Sequence, residues 1–548
     1  MAPLKAPGSD GFHAHFFQSQ WDIIGNDICN WVKGVFAGQM IDQDLNNTLV
    51  ILIPKKECLE DFSQFRPISL CSVLYKLVIK VIANRFKLVF PNIISQEQAG
   101  FIASRNIMDN IILAQEVIHS IRCKRNGKNW VAIKLDLEKA YDRVNWEFIN
   151  AFLMAVGVPE FLRKVIMSAI SSSSMQILWN GVPTQKFKPA RGIRQGCPLS
   201  PYLFVLCMDW LGHLIKSNID IGRWEPVKLS RSGPAISHLF FADDLVIFCK
   251  AHIDQARLLK SILDQFCDVS GHKISTRKSN IYFAKGSSEP CFYLGVPLLH
   301  NRVTKSTFSF VVDKVRSKLN SWDARKLPKA GRVTLAKSVL LSIPNYFIQS
   351  MLIPKGVCAE IEKMVRRFIW GGSEGQSKLS LVAWDSICQP SSRGGLGIRQ
   401  LGDQNTSFLM KIGFGLVLKS SDLWVHVLRA KYGWKEQIPD SINRSQCSHL
   451  WWSLSKIWPL LRKHLTWAIG DGTRIRCWKD PWVPGIGPLI SKIPSFSNLD
   501  LDCVVRDLVN SDGCWNLELL RVWLPEYVIK KIISIPPPHL NAGTDKVI

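Results

Sequence analysis

The stretch Phe240-Phe241-Ala242-Asp243-Asp244-Leu245-Val246 decides the fold prediction, because it sets two adjacent carboxylates between two apolar runs. The runs extend over Ile236–Phe248 and have the pattern of a buried β-hairpin with acidic residues at its turn. Taken alone, an Asp-Asp pair in a hairpin is more often ordinary turn chemistry. The hairpin therefore indicates a site only if other parts of the sequence bring further functional groups to it.

A second acidic position precedes the hairpin in the sequence. A strand predicted over Trp130–Leu137 delivers Asp136 to its C-terminal edge, and a turn carries Tyr141 back over the same face. Asp136 alone could simply cap the helix that follows it. Glu138 and Asp142 lie near the start of that helix, where acidic side chains favour the helix dipole and usually serve structure.

The third feature is the loop Gly192–Pro201, which is punctuated by Gly and Pro and leads into an apolar helix over Tyr202–Leu211. Gln195 lies within this loop and is a weak signal by itself.

Other apolar patterns predict further elements. Helices are expected over Phe16–Ile28, Ile28–Phe36, Ser72–Phe90, Ile107–Ile121, Phe152–Ser168 and Leu258–Val269, and strands over Leu49–Ile53, Ile281–Phe283 and Tyr293–Val296.

Nucleotidyl transfer explains why these acidic positions should meet. Extension of a primer is an in-line attack of a 3′-hydroxyl on an α-phosphate, so the protein mainly positions groups and stabilises charge. Two Mg²⁺ ions roughly 3.5–4 Å apart can clamp the attacking and leaving oxygens, and such ions prefer carboxylate oxygens. Asp136 on one strand and Asp243 and Asp244 on an adjacent hairpin would hold both ions, whereas burying these like charges without metal is costly.

Composition agrees with a polyanionic partner. The chain has 548 residues, 69 Lys and Arg, 44 Asp and Glu and a net charge of +25. Such an excess favours phosphate contacts, because each contact releases bound counterions, although a merely basic protein would share it. A hydrophobic content of 47% excludes a disordered chain and allows several units with sizeable cores.

Cysteine usage and hydropathy bear on the compartment. The 15 Cys include no C-x-x-C pair and no convincing zinc spacing. We expect reduced core thiols, which fit an intracellular protein. The residues concerned are Cys29, Cys71, Cys207, Cys249 and Cys267. The sequence contains neither an apolar signal segment nor an apolar run that could span a bilayer, so we expect no membrane partner.

An ordered series of motifs resembles the reverse transcriptases of LINE-type (non-LTR) retrotransposons, particularly those of plants. The order is far more specific than any one motif. The series comprises Lys5–Phe12, Ile53–Lys56, Phe65–Leu70, Gln98–Phe101, the Asp136 segment, the Arg194-Gln195-Gly196 loop, Phe241–Asp244, Gly271–Ser279 and Tyr293–Val296.

The resemblance implies an α+β fold shaped as a right hand, with fingers, a palm carrying an antiparallel sheet and a helical thumb. The corresponding divisions are an N-terminal extension over 1–50, fingers and palm over 51–300, a thumb over 301–372 and a Trp-rich C-terminal region over 373–548. The thumb segment is strongly basic, which suits phosphate tracking, although some of its cations will lie on ordinary solvated faces. A Gly/Ser stretch beginning at Gly371 predicts a linker.

The resemblance also assigns roles to residues. Asp136 and Asp243 would be the main ligands of two Mg²⁺ ions with Asp244 beside them, and the partners would be an RNA template, a DNA primer and dNTPs. Tyr141 would be a steric gate against ribonucleotides, unless it is an ordinary core aromatic. Gln195 would line the nucleotide pocket.

Three cations complete the implied site. Lys55 and Arg66 would hold the triphosphate, where a guanidinium suits phosphate oxygens. Without the resemblance, each would be taken for a surface cation. Lys278 is a candidate proton donor to the leaving pyrophosphate, although a Lys after a turn is usually solvated.

The sequence departs from a complete element of this family. An N-terminal endonuclease is missing, and the sequence stops before the zinc-binding segment expected after 373–548. We therefore expect a fragment whose polymerase residues survive, located in the nucleus if expressed. The alternatives are a degenerate, non-catalytic nucleic-acid-binding remnant and a maturase of the group II intron type, which the Phe-Ala-Asp-Asp box would suit equally.

Overall fold

The computed structural model describes residues 1–123, 130–283, 291–298, 303–322, 326–371, 380–493 and 499–548. The chain divides into two compact units, Met1–Leu298 and Leu299–Ile548. Most of the linker predicted after Gly371 lies outside the described residues.

The first unit mixes helices and strands. Its helices are α1 (Ala14–Ser19), α2 (Trp21–Phe36), α3 (Val73–Ile93), α4 (Ile107–Cys123), α5 (Ala140–Arg143), α6 (Trp146–Ala155), α7 (Glu160–Ser171), α8 (Ser200–Asp220) and α9 (Ile253–Ser270). Its strands are β1 (Thr48–Pro54), β2 (Phe65–Leu70), β3 (Trp130–Leu135), β4 (Met175–Trp179), β5 (Val182–Pro183), β6 (Val227–Lys228), β7 (Ala235–Ile236), β8 (His238–Phe241), β9 (Asp244–Lys250), β10 (Asn280–Phe283), β11 (Cys291–Tyr293) and β12 (Val296–Leu298).

A four-stranded antiparallel sheet with the order β10-β3-β9-β8 carries the predicted acidic residues. Its central strand β9 is buried over Leu245–Cys249, which explains why the sequence there is continuously apolar rather than alternating. A second sheet, of order β2-β1-β4-β5, contains one parallel pair, β1 with β4. The predicted α+β class with an antiparallel palm sheet is confirmed.

Large apolar side chains from the helices and the palm sheet form one continuous core. Helix α8 is central to it, because its buried residues line both sides of the helix. Phe204 on α8, Phe240 on β8 and Phe266 on α9 are each at most 1% exposed. The core thereby joins the palm sheet to helices that come from distant parts of the sequence.

Arg194 ties the loop before α8 to three other elements. Its guanidinium is 5% exposed and donates to Asn46 Oδ1 at 2.8 Å, Thr48 Oγ1 at 2.8 Å and the Ala169 carbonyl at 2.8 Å. It also donates to the hydroxyl of Tyr75 and lies over that ring. A charge buried this deeply is tolerated because its donors are paired. The arginine therefore fastens the predicted nucleotide loop to β1, α3 and α7.

Substitution of Arg194 tests this fastening. We expect Arg194→Met to lower the free energy of unfolding by at least about 3 kcal/mol, because several buried acceptors would lose their donor. Urea denaturation followed by circular dichroism measures the change. The matched control is Arg191→Met, since Arg191 is exposed; its effect should stay within about 0.5 kcal/mol. Equal effects of the two substitutions would contradict the role of Arg194.

Several predicted elements are interrupted in the structure. The helix expected over Phe152–Ser168 is two helices, α6 and α7, because Gly157 has a φ of 77° and Pro159 precedes α7. The strand expected over Tyr293–Val296 is instead a hairpin, with Leu294 and Gly295 at positive φ in its two-residue turn. The helix expected over Phe16–Ile28 breaks at Gln20 between α1 and α2.

The second unit is mainly helical where it is described. Its helices are α10 (Ser309–Asn320), α11 (Lys329–Leu335), α12 (Ser342–Asn345), α13 (Lys355–Trp370), α14 (Trp384–Cys388), α15 (Leu401–Leu418), α16 (Leu423–Tyr432), α17 (His449–His464), α18 (Leu517–Trp523) and α19 (Glu526–Ile533), and a π-helical turn covers Ala336–Leu340. Its two short strands, β13 (Trp467–Ala468) and β14 (Lys546–Val547), pair with each other.

Most tryptophans of the C-terminal region belong to its core, although Trp452 is exposed. Tyr432 stacks on Trp451 with ring centroids 3.9 Å apart, and Trp434 meets Trp458 edge-on at 5.3 Å. Trp482 stacks on Trp515 at 5.5 Å. Aromatic burial on this scale explains why a segment with little sheet can be compact.

A buried carboxylate organises the loop after β13. Asp545 is 3% exposed and accepts the backbone N–H groups of Gly470, Gly472 and Arg474 at 2.7–2.9 Å. Thr466 and Ile548 exchange backbone hydrogen bonds beside it. The loop over 470–474 is therefore held by residues far away in the sequence.

The cysteine prediction is partly wrong. Cys71, Cys207 and Cys249 are buried as expected, but Cys29 is exposed because its position on α2 faces away from the core. Cys477 and Cys503 pair as a disulfide, which the sequence pattern did not indicate.

Among the described helices, none combines the length and the apolar character needed to cross a bilayer.

Candidate active site

A tight turn presents the two adjacent aspartates. Phe241 pairs with Asp244 across the β8–β9 hairpin, so Ala242 and Asp243 form a two-residue loop. Ala242 has a φ of 53°, in the left-handed region, whereas the φ of Asp243 is not positive. Positive φ at the first central position is the signature of a type II′ turn, which normally uses Gly there. The turn therefore holds an alanine in a conformation that costs about 1–2 kcal/mol.

The β3–β9 register brings the third aspartate to the same place. The ladder ends at the pair Leu135 and Leu245, so continuing the same register sets Asp136 opposite Asp244. Residues directly opposite each other on antiparallel strands have Cβ atoms about 4.5–5.5 Å apart. Asp136 and Asp244 therefore lie side by side, with Asp243 adjoining them in the turn.

The electrostatics of Asp244 agree with this crowding. Burial raises the pKa of the Asp244 carboxyl above its ordinary value, and the negative charges of Asp243 and Asp136 raise that pKa further. Within the ranges that the structure describes, no three His, Cys, Asp or Glu side chains are grouped closely enough to enclose a metal ion. The donor set nevertheless fits a hard divalent cation in kind, since it consists of carboxylate oxygens.

Tyr141 lies close to the acidic turn. Its ring stacks on Phe204 of α8, with centroids 4.7 Å apart and planes 16° from parallel. Burial raises the pKa of the Tyr141 hydroxyl, and the charge of Asp243 raises it further. The phenol is therefore neutral at physiological pH and its ring is fixed by the core, as a rigid gate would require.

The Gln195 loop packs between α5 and β2. Ser69 of β2 donates its N–H to the Gln195 carbonyl at 2.7 Å. Gly192 and Gly196 have φ of 91° and 110°, and a Cβ on either would lie 2.7 Å from a backbone oxygen, of Asp142 and Ser69 respectively. Both glycines are therefore required by close backbone approach. Gln195 itself is half-buried beside this contact.

The two cations predicted to hold the triphosphate are exposed beside the adjoining strands β1 and β2. Lys55 follows the end of β1 and donates to the Ser63 carbonyl at 2.9 Å, and Arg66 pairs with Ile53 in the β1–β2 ladder. Burial raises the pKa of Asp142, while the positive charges of Lys139 and Lys55 oppose that shift. Lys55 is therefore close enough to Asp142 for their charges to interact.

Lys278 also reaches the acidic cluster. The segment 271–279 runs beside the end of β3, where Ser275 N–H donates to the Asp136 carbonyl at 2.8 Å and Ser279 Oγ accepts from Asp136 N–H at 3.2 Å. Lys278 Nζ lies 3.8 Å from Asp136 Oδ1 and is 73% exposed. The structure thus brings the lysine to the site, through an exposed contact of small energy.

Glu138 has the structural role expected of it. Its carboxylate pairs with Arg143 at 3.1 Å and with Lys273 at 3.8 Å, and its N–H donates to the Lys273 carbonyl. These contacts link the turn after β3 to the start of the 271–279 segment.

A column of rings supports Tyr141 from behind. His272 stacks on Phe266 with centroids 5.3 Å apart and meets Phe204 edge-on at 6.0 Å. His272 Nδ1 lies 2.9 Å from Ser270 Oγ. Burial lowers the pKa of His272 to about 4, so the imidazole is neutral in the folded protein at physiological pH.

The buried imidazole makes stability sensitive to acid. Between pH 6.5 and 4 the unfolded chain binds a proton at His272 that the folded chain excludes, so the free energy of unfolding falls as pH falls. We expect the decrease in the free energy of unfolding between pH 6.5 and 4 to be smaller in His272→Phe than in wild type, by up to about 3 kcal/mol. Urea denaturation at several pH values measures the slope. His15→Phe, at an exposed position, should keep the wild-type slope; an unchanged slope in His272→Phe would contradict the assignment.

The sequence reasoning did not assign roles to two parts of this site. Arg194 was noted only as part of the Gln195 loop, and its burial has no local sequence signal. The segment Gln98–Phe101 was recognised as a motif but given no role, although Ala99 N–H donates to the Phe240 carbonyl at 2.9 Å and Phe240 N–H donates to the Glu97 carbonyl at 2.8 Å. It therefore lies along the outer edge of β8.

Comparison with known proteins identifies the region that contains this site. Residues 53–298 match the family model described as reverse transcriptase (RNA-dependent DNA polymerase). This region belongs to the reverse transcriptase family. The reverse transcriptase region includes every residue predicted for the site, from Lys55 to Lys278.

Curated relatives of this chain include proteins of retrotransposons. The chain is 27% identical over 380 residues to a Pol polyprotein from the type-2 retrotransposable element R2DM of Drosophila melanogaster, covering 64% of the chain and 34% of the relative. It is 27% identical to a transposon TX1 protein of Xenopus laevis, covering 78% and 33%. It is 34% identical to a putative ribonuclease H protein of Arabidopsis thaliana, covering 39% and 35%. The predicted non-LTR family is confirmed.

The chain spans about a third of the length of these relatives. Among solved structures, apo telomerase from Candida tropicalis is 13% identical, with a TM-score of 0.36 over 75% of this chain and 68% of that one.

Proposed function

We propose that this chain is the RNA-directed DNA polymerase core of a non-LTR retrotransposon, which transfers a deoxynucleotide from dNTP to a primer 3′-hydroxyl on an RNA template. The observation that carries the proposal is the placement of Asp136 and Asp244 on opposed strand ends, next to Asp243 in the turn. The family of the region supports the reaction class, since that family is described as RNA-dependent DNA polymerases.

The aspartates would hold two Mg²⁺ ions. When bound, these ions would stabilise the charge on the attacking and leaving oxygens. The raised pKa of Asp244 supports this assignment, because the burial and the neighbouring negative charges that raise it are a cost that a bound cation would offset. Lys278, near Asp136, would supply a proton to the leaving pyrophosphate.

The other site residues would select and orient the nucleotide. Lys55 and Arg66 would bind the triphosphate from the ends of β1 and β2, and Gln195 would line the pocket beside β2. Tyr141 would exclude a 2′-hydroxyl, since its ring is held by Phe204 and cannot readily move aside.

The rest of the chain would bind the template and primer. We propose an N-terminal extension over 1–50, fingers and palm over 51–300, a thumb over 301–372 and a Trp-rich C-terminal region over 373–548. Exposed cations on the proposed thumb suit phosphate contacts that follow duplex shape rather than sequence. These include Lys314, Lys318, Lys326, Lys329 and Lys337.

Removal of one carboxylate tests the reaction. We expect Asp243→Asn to lower dTTP incorporation on poly(rA)/oligo(dT) by roughly a thousandfold, because the acidic residues act as a unit. Asp254→Asn is the matched control, since Asp254 is an exposed aspartate on α9, and it should retain wild-type incorporation. Equal incorporation by Asp243→Asn and wild type would contradict the proposal. Salt-dependent RNA binding by a folded wild type that incorporates nothing would favour the non-catalytic alternative.

The gate role of Tyr141 predicts a change in sugar selection. We expect Tyr141→Ala to raise the ratio of ribonucleotide to deoxynucleotide incorporation by roughly tenfold to a hundredfold, because the ring would no longer meet the 2′-hydroxyl. Tyr141→Phe keeps the ring and should keep the wild-type ratio. The measurement is kcat/KM for rUTP and dTTP in single-nucleotide extension. An unchanged ratio in Tyr141→Ala would show that Tyr141 is only a core aromatic.

A further inference from the structure

The turn that carries Asp243 needs support from outside its own hairpin. Ala242 is 5% exposed and its φ of 53° is disfavoured for a residue with a Cβ. Such a conformation persists only where the surrounding structure determines it. The backbone angles of Ala242 set where Asp243 begins, so whatever holds Ala242 also sets the position of that carboxylate.

Gln98 makes the holding contact. Its side-chain Oε1 accepts the backbone N–H of Ala242 at 3.1 Å and the backbone N–H of Gly100 at 2.9 Å. One amide oxygen thus links the turn to the segment that runs along the edge of β8. Gln98 is fully buried, so water does not compete for these bonds and their loss would leave buried donors unpaired.

Gln98 is itself fixed on its backbone side. It forms a parallel bridge with Phe240 of β8, and its carbonyl accepts from Arg105 Nη1 at 2.6 Å. The same guanidinium also binds the carbonyls of Ser95, Pro91 and Ile94. The amide oxygen is therefore presented to the turn from a rigid base.

Gly100 shows how closely the two segments approach. A Cβ at this position would lie 2.5 Å from Ala242 N and 3.1 Å from Gln98 Oε1. Because the nearer atom belongs to the backbone, any side chain here would push the turn rather than a flexible neighbour.

We infer that Gln98 is a positioning residue for Asp243: through Ala242 it sets the carboxylate geometry on which metal binding depends. Gln98 does not touch substrate, and its effect passes through the turn. This inference rests on the proposed function, because it assigns the turn its role in holding the metal ions.

The test combines two readouts on Gln98→Met, which keeps the length of the side chain and removes the acceptor. We expect the Mg²⁺ concentration for half-maximal primer extension to rise at least roughly fivefold, and kcat to fall at least roughly tenfold, because a small misplacement of a reacting group costs this much. Titration with Mn²⁺ alone, followed by the electron paramagnetic resonance signal of the free ion, should show affinity weakened by a similar factor.

The matched control is Gln115→Met, a second buried glutamine in the same unit, which should leave both the metal requirement and the Mn²⁺ affinity unchanged. Gly100→Ala displaces the same turn by a different route and should reproduce the effect of Gln98→Met. If one of the two turn variants fails to fold by circular dichroism, the other decides.

Wild-type metal dependence in a folded turn variant, or an equal shift in Gln115→Met, would overturn the inference and leave the proposed function standing. Absence of primer extension by wild type would instead count against the proposed function. In that case the Mn²⁺ titration still tests Gln98, with equal affinity of wild type and Gln98→Met overturning the inference.

Discussion

The register between β3 and β9 is the constraint on which the site depends. Side chains alternate between faces of a strand, so a slip of one residue would turn Asp136 or Asp244 to the opposite side of the sheet. The run Leu245–Cys249 is buried, so a slip would force all of its side chains to repack inside the core. Packing in the core therefore sets the spacing between the Asp136 and Asp244 carboxylates at the ends of these two strands.

Holding these carboxylates together works against folding, and the surrounding structure offsets the cost. Burial and repulsion raise the pKa of Asp244, and the turn keeps Ala242 in a left-handed conformation. Gln98 pairs the strained turn's N–H, while Arg194 fastens the neighbouring loop through buried hydrogen bonds. Proteins commonly keep locally unfavourable features, such as a strained turn or crowded charges, at functional sites and stabilise them through contacts elsewhere.

Much of the palm could be predicted because its signals are local. Apolar runs on both sides of Asp243-Asp244 indicate a hairpin without knowledge of the rest of the chain, and the strand ending at Asp136 is equally clear. Helix breaks were less visible, since Gly157 and Pro159 were outweighed by continuous apolar periodicity around them. The hairpin around Leu294 was missed because a non-glycine residue takes positive φ there.

Contacts between distant segments could not be read from the sequence. The partners of Arg194 span Asn46 to Ala169, so its burial depends on a fold that no local pattern encodes. The same is true of Gln98, whose motif was recognisable while its contact with Ala242 was not. The roles given to Lys55, Arg66, Gln195 and Lys278 remain predictions, and the structure adds that Lys55 and Lys278 both lie near acidic groups of the palm.

The pairing of Asp545 with the loop over 470–474 has a consequence for synthesis of the chain. Three backbone N–H groups of that loop depend on a carboxylate made more than seventy residues later. The N-terminal parts of a protein are synthesised first, so the N–H groups of this loop stay hydrogen-bonded to water until Asp545 has been made. The second unit therefore completes this part of its fold only after nearly all of it has been translated, since β13 also pairs with β14 at Lys546–Val547.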